Sequence, residues 1–221
     1  MKRLSILLIL FLGAMVSYSQ VETNHPKNGL TIQLFSNGTW SYKTKTGSCT
    51  DDRDGKTYKT VSIGTQIWMA ENLAFKADSG CWAFGNDIAN VSKYGYLYTW
   101  NTARNSCPKG WHLPSDDEWT ILVNYLGGED VAGIKLKNIA YWQVVDSIHS
   151  TNESGFTGLP GGYRLCNDGT FGKAGKDGIW WSGTDYNNEN AWRHDLYFSD
   201  NKMYRWFSNK ENGFNVRCIK D

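Results

Sequence analysis

The spacing of apolar residues predicts one helix in this chain very clearly. In the segment "SDDEWTILVNYLGG", apolar residues recur at the i, i+3, i+4, i+7 spacing of a helix with one buried face, at Trp119, Leu122, Val123 and Leu126. Ser115 is a preferred N-cap residue, and Glu118 three positions later completes a capping box. Gly127 and Gly128 follow as a stop signal. The acidic residues 116–118 therefore have a structural role in the first turn, where the helix dipole favours negative charge.

Weaker patterns predict two shorter helices and two strands between residues 51 and 140. "YGYLYTWNTAR" has apolar residues near helical spacing, and "EDVAGIKLKN" predicts a further short helix. A turn at Asp54–Gly55 precedes a strand over 58–63, and a turn at Gly64–Thr65 leads to a strand through Ile67 and Trp68.

From Gly155 to Asp221 the pattern changes to glycine-punctuated, aromatic-rich strands. Turn signals at residues 167–169, 199–201 and 211–213 separate segments such as "GIWWSGT", "AWRHDLYFS" and "KMYRWFS". Helices first and an antiparallel sheet afterwards indicate an α+β fold. Because adjacent strand residues point to opposite faces, we expect one of Trp180 and Trp181 to face inwards and the other outwards.

The N-terminal part reads as two further segments. Residues 1–19 have a basic start, a short apolar run and small residues at Ser17 and Ser19, which is typical of a secretory signal peptide cleaved after Ser19. Residues 20–50 predict a small β-hairpin, "GLTIQLFSNGTWSYK", with a tight turn at residues 36–38, followed by a Thr- and Lys-rich linker over 43–48. The main domain is predicted over 51–221.

Charge and cysteine spacing argue against several classes of function. The chain has 23 basic and 22 acidic residues, so its net charge near zero argues against binding to nucleic acid or to an anionic membrane. We expect an exported protein, secreted, periplasmic or on the cell surface, with no integral membrane segment in the mature chain. The five cysteines lack C-x-x-C spacing, and Val61 stands where an EF-hand loop at "DDRDG" needs glutamate. Neither pattern supports a metal site, and no cofactor is expected.

Several segments, in order along the chain, resemble the Fibrobacter succinogenes major paralogous domain. They are "DDRDGKTYKTVSIGTQIWMAENL", "YGYLYTWNTA", "CPKGWHLPSDDEW", "GFTGLPGGYR", "GIWWSGT" and "FNVRCIKD". "WHLPSDDEW" is also similar to a block of sulfatase-modifying, formylglycine-generating-type domains. The resemblance implies a C-type-lectin-like fold over residues 51–221, with two to three helices, a twisted antiparallel sheet and long structured loops. It supplies no catalytic residues.

Beside this resemblance, we predict a disulfide between Cys107, before the capped helix, and Cys218, in the last strand. Members of the family commonly have a cysteine loop that begins near the position of Cys81, but this chain has Val91 near the expected partner. Cys166 is therefore the candidate partner of Cys81, and Cys49 has no assigned partner.

The histidines lack any metal-ligand spacing. His112 is expected to hydrogen-bond backbone within the segment that leads into the helix, and His194 is expected on a surface strand, with its neighbours Arg193 and Asp195 on the opposite face.

The late aromatic residues suggest the function. We predict a non-enzymatic module that binds an extracellular glycan, or otherwise a surface protein, and aromatic rings beside polar residues suit sugar stacking. The candidate ligand-binding residues are Trp181, Tyr186, Trp192, Arg193 and Trp206. Two alternatives stay open: a relative of the formylglycine-generating oxidases, and a structural or interaction module of a cell-surface assembly.

Overall fold

The computed structural model describes residues 21–24, 31–34, 40–43, 45–146 and 150–221. The chain forms two compact units, residues 1–43 and 44–221. In the first unit, β1 (Val21–Asn24), β2 (Thr31–Leu34) and β3 (Trp40–Lys43) form an antiparallel three-stranded sheet. The pairing of β2 with β3 is the predicted hairpin, and β1 adds a strand that the pattern did not indicate. The predicted hairpin turn at 36–38 and the predicted signal peptide lie outside the described residues.

The second unit contains a five-stranded antiparallel sheet that joins the start and the end of the domain. Its order is β4-β5-β6-β15-β9. The strands are β4 (Thr46–Thr50), β5 (Thr57–Ile63), β6 (Gln66–Met69), β9 (Trp111–His112) and β15 (Ile219–Lys220). The linker prediction for residues 46–48 is therefore wrong: β4 pairs with β5 from Thr46↔Val61 to Thr50↔Thr57, so this segment is part of the sheet.

A second, three-stranded antiparallel sheet carries the late aromatic residues. It consists of β12 (Asp177–Asp185), β13 (Asn190–Tyr197) and β14 (Met203–Asn209), in that order. Two smaller sheets pair β7 (Cys81–Trp82) with β8 (Leu97–Tyr98), and β10 (Tyr163–Arg164) with β11 (Phe171–Gly172). Together with the helices, this arrangement confirms the predicted α+β class.

The predicted helices are present, and one short helix was not foreseen. The helices are α1 (Val91–Tyr94), α2 (Trp100–Ala103), α3 (Asp116–Tyr125) and α4 (Glu129–Leu136). The capping box of α3 forms as predicted: the Ser115 hydroxyl accepts from the Glu118 backbone N–H, and the Glu118 carboxylate accepts from the Ser115 backbone N–H at 2.8 Å. In the described residues, no helix has the length and apolar character needed to cross a membrane.

Replacing Ser115 by alanine tests the start of α3. The variant loses the side-chain acceptor of the first turn, so we expect the free energy of unfolding to fall by about 1 kcal/mol. Urea denaturation measures this change. A serine with no capping role, Ser92→Ala on α1, provides the control, and an unchanged midpoint in the Ser115 variant would argue against this cap.

The domain has two apolar clusters, and β12 lies between them. Trp180 belongs to one cluster, with Trp68, Trp119 and Phe156, while Trp181 belongs to the other. Both indoles are fully buried, and each donates a hydrogen bond at 2.8 Å, Trp180 to the Asn72 side chain and Trp181 to a backbone carbonyl. The prediction that one of them faces solvent is wrong because both faces of this strand are covered.

The predicted disulfide between Cys107 and Cys218 is present and closes a sequence separation of 111 residues. The candidate bridge between Cys81 and Cys166 is not formed, and both residues are free thiols, as is Cys49. The Cys81 thiol donates to the carbonyl of Ala77 four residues earlier, whereas Cys166 is exposed in the connection between β10 and β11. This second disulfide prediction is corrected accordingly.

Candidate functional site

The register of β13 and β14 separates the predicted ligand-binding residues onto two faces of one sheet. Trp192 is paired with Phe207, and the next pair is Arg193 with Trp206. Since adjacent residues of a strand point to opposite faces, Trp192 and Phe207 lie on one face and Arg193 and Trp206 on the other. Five residues that the sequence suggested as one site therefore do not form one. Trp181 belongs to neither surface, because it is part of the core.

The first face carries a surface aromatic cluster formed by Tyr186, Trp192 and Phe207. The rings of Tyr186 and Phe207 stack with a centroid distance of 4.1 Å and an interplanar angle of 5°. Trp192 meets Tyr186 edge-on, with centroids 4.9 Å apart. Tyr186 and Phe207 remain 45% and 47% exposed. Two large rings are thus held together in a fixed orientation while nearly half of their surface faces solvent.

An ion pair between Arg205 and Asp116 supports the Trp192 ring of the cluster. The Arg205 guanidinium lies 3.3 Å from the centroid of the Trp192 ring, on the same face of the sheet. Its Nε and Nη2 donate to the carboxylate of Asp116 at 2.7–2.9 Å. Asp116 is the first residue of α3, and its backbone N–H donates to the Thr184 hydroxyl on β12. The helix start therefore fixes the arginine, and the arginine supports one face of Trp192.

His194 completes this network inside the protein. Its Nε2 lies 3.1 Å from an Asp116 carboxylate oxygen, and its ring stacks on Trp119 with centroids 5.0 Å apart. Burial lowers the pKa of His194 despite the nearby carboxylate, so the ring is neutral and donates from Nε2. The expectation of a surface position for His194 is wrong: its partner comes from α3, far away in sequence, and α3 covers this part of the sheet.

Asp116 is the ionised centre of the network. Burial alone would raise its pKa, but the hydrogen bonds from His194 and Arg205 outweigh burial and lower the pKa of Asp116 to about 2. Asp116, Arg205 and His194 are thus mutually satisfied, and their arrangement fixes the position of the aromatic cluster.

The second face of the sheet is built differently. Arg193 and Asp195 form an ion pair at 2.6 Å, and Tyr197 donates to the same carboxylate at 2.7 Å. Asp195 is fully buried, which raises its pKa to about 6 despite the neighbouring arginine. Trp206 is 49% exposed, and its ring lies nearly parallel to that of Tyr204. As expected, Arg193 and Asp195 point away from His194.

Phe207 and Arg205 were not predicted as site residues, although the sequence contains a signal for both. The strand "MYRWFSN" alternates, so Arg205 and Phe207 share the face opposite Trp206. Which of these two faces lies beside Trp192 depends on the register of two strands, and a single sequence does not fix that register.

Other predicted features of the chain form structural contacts. His112 was expected to bond backbone, but its ring lies 2.7 Å from Asp221 and 2.9 Å from Glu118, so its partners are carboxylates. These two hydrogen bonds raise the pKa of His112 against the opposing effect of burial, which is the largest single contribution.

Asp54–Gly55 forms the predicted turn, closed by a hydrogen bond from the Gly55 N–H to the Asp51 carbonyl. His25 and His149 lie outside the described residues. Within the described residues, no cluster of three or more His, Cys, Asp or Glu side chains is arranged to hold a metal ion.

Comparison with known families gives one match. The model of the Fibrobacter succinogenes major domain matches residues 61–220, which include both the disulfide and the three-stranded sheet with its aromatic cluster. No curated protein and no solved structure matches the chain.

Proposed function

The chain belongs to the Fibrobacter succinogenes major domain family, and from that premise we propose that it is an exported, non-enzymatic binding module with a C-type-lectin-like fold. Its ligand is an extracellular glycan, whose sugar rings stack on the exposed rings of Tyr186 and Phe207. The site lies at the end of the three-stranded sheet where β12 turns into β13.

One observation carries this proposal: the stacked, half-exposed pair of Tyr186 and Phe207. Exposed aromatic clusters on a monomeric protein mark interaction sites more often than isolated apolar residues do. Aromatic rings also provide a large flat contact area at little cost in conformational entropy. The brace of Arg205 and Asp116 under Trp192 holds the cluster in place before a ligand arrives, which favours binding.

The chemistry around the cluster supports binding rather than catalysis. The charged groups that support the Trp192 ring, Asp116 and Arg205, bond to each other, and His194 donates to the same carboxylate. An oxidase of the formylglycine-generating kind uses a pair of cysteines late in the chain. Here Cys218 is bonded to Cys107, and the other late cysteine, Cys166, is a separate exposed thiol.

Two features support export. The N-terminal residues 1–19 have the composition of a signal peptide. A disulfide that links Cys107 to Cys218 across much of the domain persists in an oxidising compartment.

Single alanine variants test the site. The probe is a polysaccharide that retards the wild-type protein. We expect Tyr186→Ala and Phe207→Ala each to lower the affinity for it by about tenfold or more, because a central aromatic contact contributes on the order of 2 kcal/mol. Affinity electrophoresis through gels that contain single polysaccharides measures the change.

Tyr141→Ala and Trp206→Ala are the matched controls. Tyr141 is 56% exposed and lies in another part of the domain, and Trp206 lies on the other face of the sheet. Both controls are expected to bind like the wild type. Undiminished binding by the Tyr186 and Phe207 variants would remove the proposed site.

A further inference from the structure

We infer that the glycan recognised at the cluster of Tyr186, Trp192 and Phe207 is electrically neutral, and that carboxylates beside the cluster exclude acidic polysaccharides. This inference rests on the proposed function and names the chemical class of its ligand.

Two cations beside the cluster, Arg205 and Lys210, already have carboxylate partners. Arg205 bonds to Asp116, and the Lys210 ammonium bonds to Asp185, the residue directly before Tyr186. Lys210 also donates to the carbonyl of Asn188 and lies over the Trp100 ring, so its side chain is largely enclosed. An acidic polymer binds through accessible cations that it can pair with. Here it would have to displace an existing partner from each of them.

The carboxylates are the more accessible charges. The Asp185 side chain is 58% exposed, whereas that of Lys210 is 13% exposed. Glu189 follows in the same turn, and Glu211 follows Lys210. Both glutamates are exposed and have no cationic partner within residues 45–146 and 150–221. The surroundings of the cluster therefore repel a polyanion at short range.

The remaining hydrogen-bonding groups beside the rings are neutral amides. Asn190 lies two residues before Trp192, Asn209 lies two residues after Phe207, and the register pairs these two asparagines. They consequently share the face of the aromatic cluster. Asn187 and Asn188 are exposed in the turn that connects β12 to β13. The Oδ1 atoms of Asn187 and Asn209 already accept from the backbone N–H groups of Asn190 and Glu211. The other donors and acceptors of these carboxamides suit the hydroxyl groups of an uncharged sugar.

Retention by three defined polymers tests the inference. The wild-type protein is run through gels that contain a neutral galactomannan, polygalacturonate or chitosan, at ~0.02 M and ~0.5 M NaCl, concentrations that span weak to strong screening. We expect the galactomannan gel to retard the protein equally at both concentrations, and the polygalacturonate gel to leave it unretarded at either.

Asp185→Asn tests the cause of the exclusion. This change leaves Lys210 without its carboxylate, so we expect the variant to gain retardation by polygalacturonate, at least about threefold at low salt and lost at high salt. Asp78→Asn removes the same charge from an exposed position elsewhere and is expected to gain none. An Asp185→Asn protein that passes the polygalacturonate gel as the wild type does would contradict the role given to Asp185.

The outcomes separate the two proposals. Salt-sensitive retardation of the wild type by polygalacturonate, or retardation by chitosan alone, would overturn neutrality, while Tyr186 and Phe207 could still be required for it. The Tyr186→Ala and Phe207→Ala proteins are tested with each polymer that retards the wild type. If both variants bind that polymer as the wild type does, the proposed binding site is wrong. If the galactomannan retards the wild type but neither variant, the result supports both the proposed site and the neutrality of its ligand.

Discussion

A protein with alanine at both Cys107 and Cys218 is expected to lose about 5 kcal/mol of its free energy of unfolding, because the bridge closes a loop of more than a hundred residues. The sequence separation is 111, and the two cysteines join the segment before α3 to the residue directly before the last strand. That strand, β15, is only two residues long and lies between β6 and the edge strand β9 of the five-stranded sheet. Few backbone hydrogen bonds hold it, so the covalent link is a large part of what keeps the chain end in place.

Urea denaturation of the oxidised wild type and of the double variant measures this loss. The exposed thiol Cys166 provides the control, since Cys166→Ala removes a cysteine without removing a bridge, and we expect this variant to change the midpoint little. A double variant that is less stable than the wild type by under about 1 kcal/mol would contradict the role of the disulfide, given the loop-closure entropy that it removes.

Arg217→Ala is the second change with a large expected effect. The guanidinium is fully buried and donates to the carbonyls of Met69 and Phe156 and to the side chain of Asn72, at 3.2, 2.5 and 2.7 Å. It also lies 4.3 Å from the centroid of the Phe156 ring. Arg217 thus links β6, the loop around Phe156 and the segment before β15. Burial lowers its pKa to about 9.

The alanine variant leaves a cavity and removes the Arg217 donors from the buried carbonyls of Met69 and Phe156, while the Asn72 side chain still accepts from Trp180. Each buried acceptor that loses its partner costs on the order of 1–3 kcal/mol, so we expect a total loss of at least about 4 kcal/mol. Arg217→Met keeps most of the side-chain volume but none of the donors, and it is expected to be intermediate. Thermal unfolding followed by circular dichroism separates the two contributions. Wild-type stability in the methionine variant would show that the hydrogen bonds of Arg217 contribute little.

Local patterns in the sequence predicted the elements that depend on neighbouring residues. The capping box at Ser115 and the apolar spacing from Trp119 to Leu126 fix α3, and both operate within a few residues. The turn at Asp54–Gly55 is similarly local. Its glycine has φ +75°, a conformation that side chains rarely adopt.

Features that depend on distant partners could not be predicted in the same way. The alternation rule places Trp180 and Trp181 on opposite faces correctly, but it cannot show that a separate cluster covers each face. His194 has no polar partner near it in sequence, because Asp116 reaches it from α3. Residues 46–48 belong to the stretch predicted as a polar linker, yet they pair with β5 as part of the edge strand of the sheet.

In the candidate site, too, the sequence indicated the residue types but not which of them come together. The sequence suggested the late aromatic residues as the site, and two of them, Tyr186 and Trp192, lie together. Trp206, which the sequence also suggested, lies outside this cluster, because the register pairs Trp192 with Phe207 and Arg193 with Trp206. One residue of strand offset decides which side chain joins the cluster and which points away from it.

The central claim is that ligand binds on the face of the sheet that carries Tyr186, Trp192 and Phe207. The most direct test is an NMR titration that follows the tryptophan indole N–H signals. The ligand is an oligosaccharide of the polysaccharide that retards the wild-type protein in gels, and the signals are assigned from single Trp→Phe variants. We predict that the indole signal of Trp192 shifts with increasing ligand, while those of Trp206, on the opposite face, and Trp181, in the core, stay in place. A saturating shift of Trp206 with an unmoved Trp192 would contradict the account.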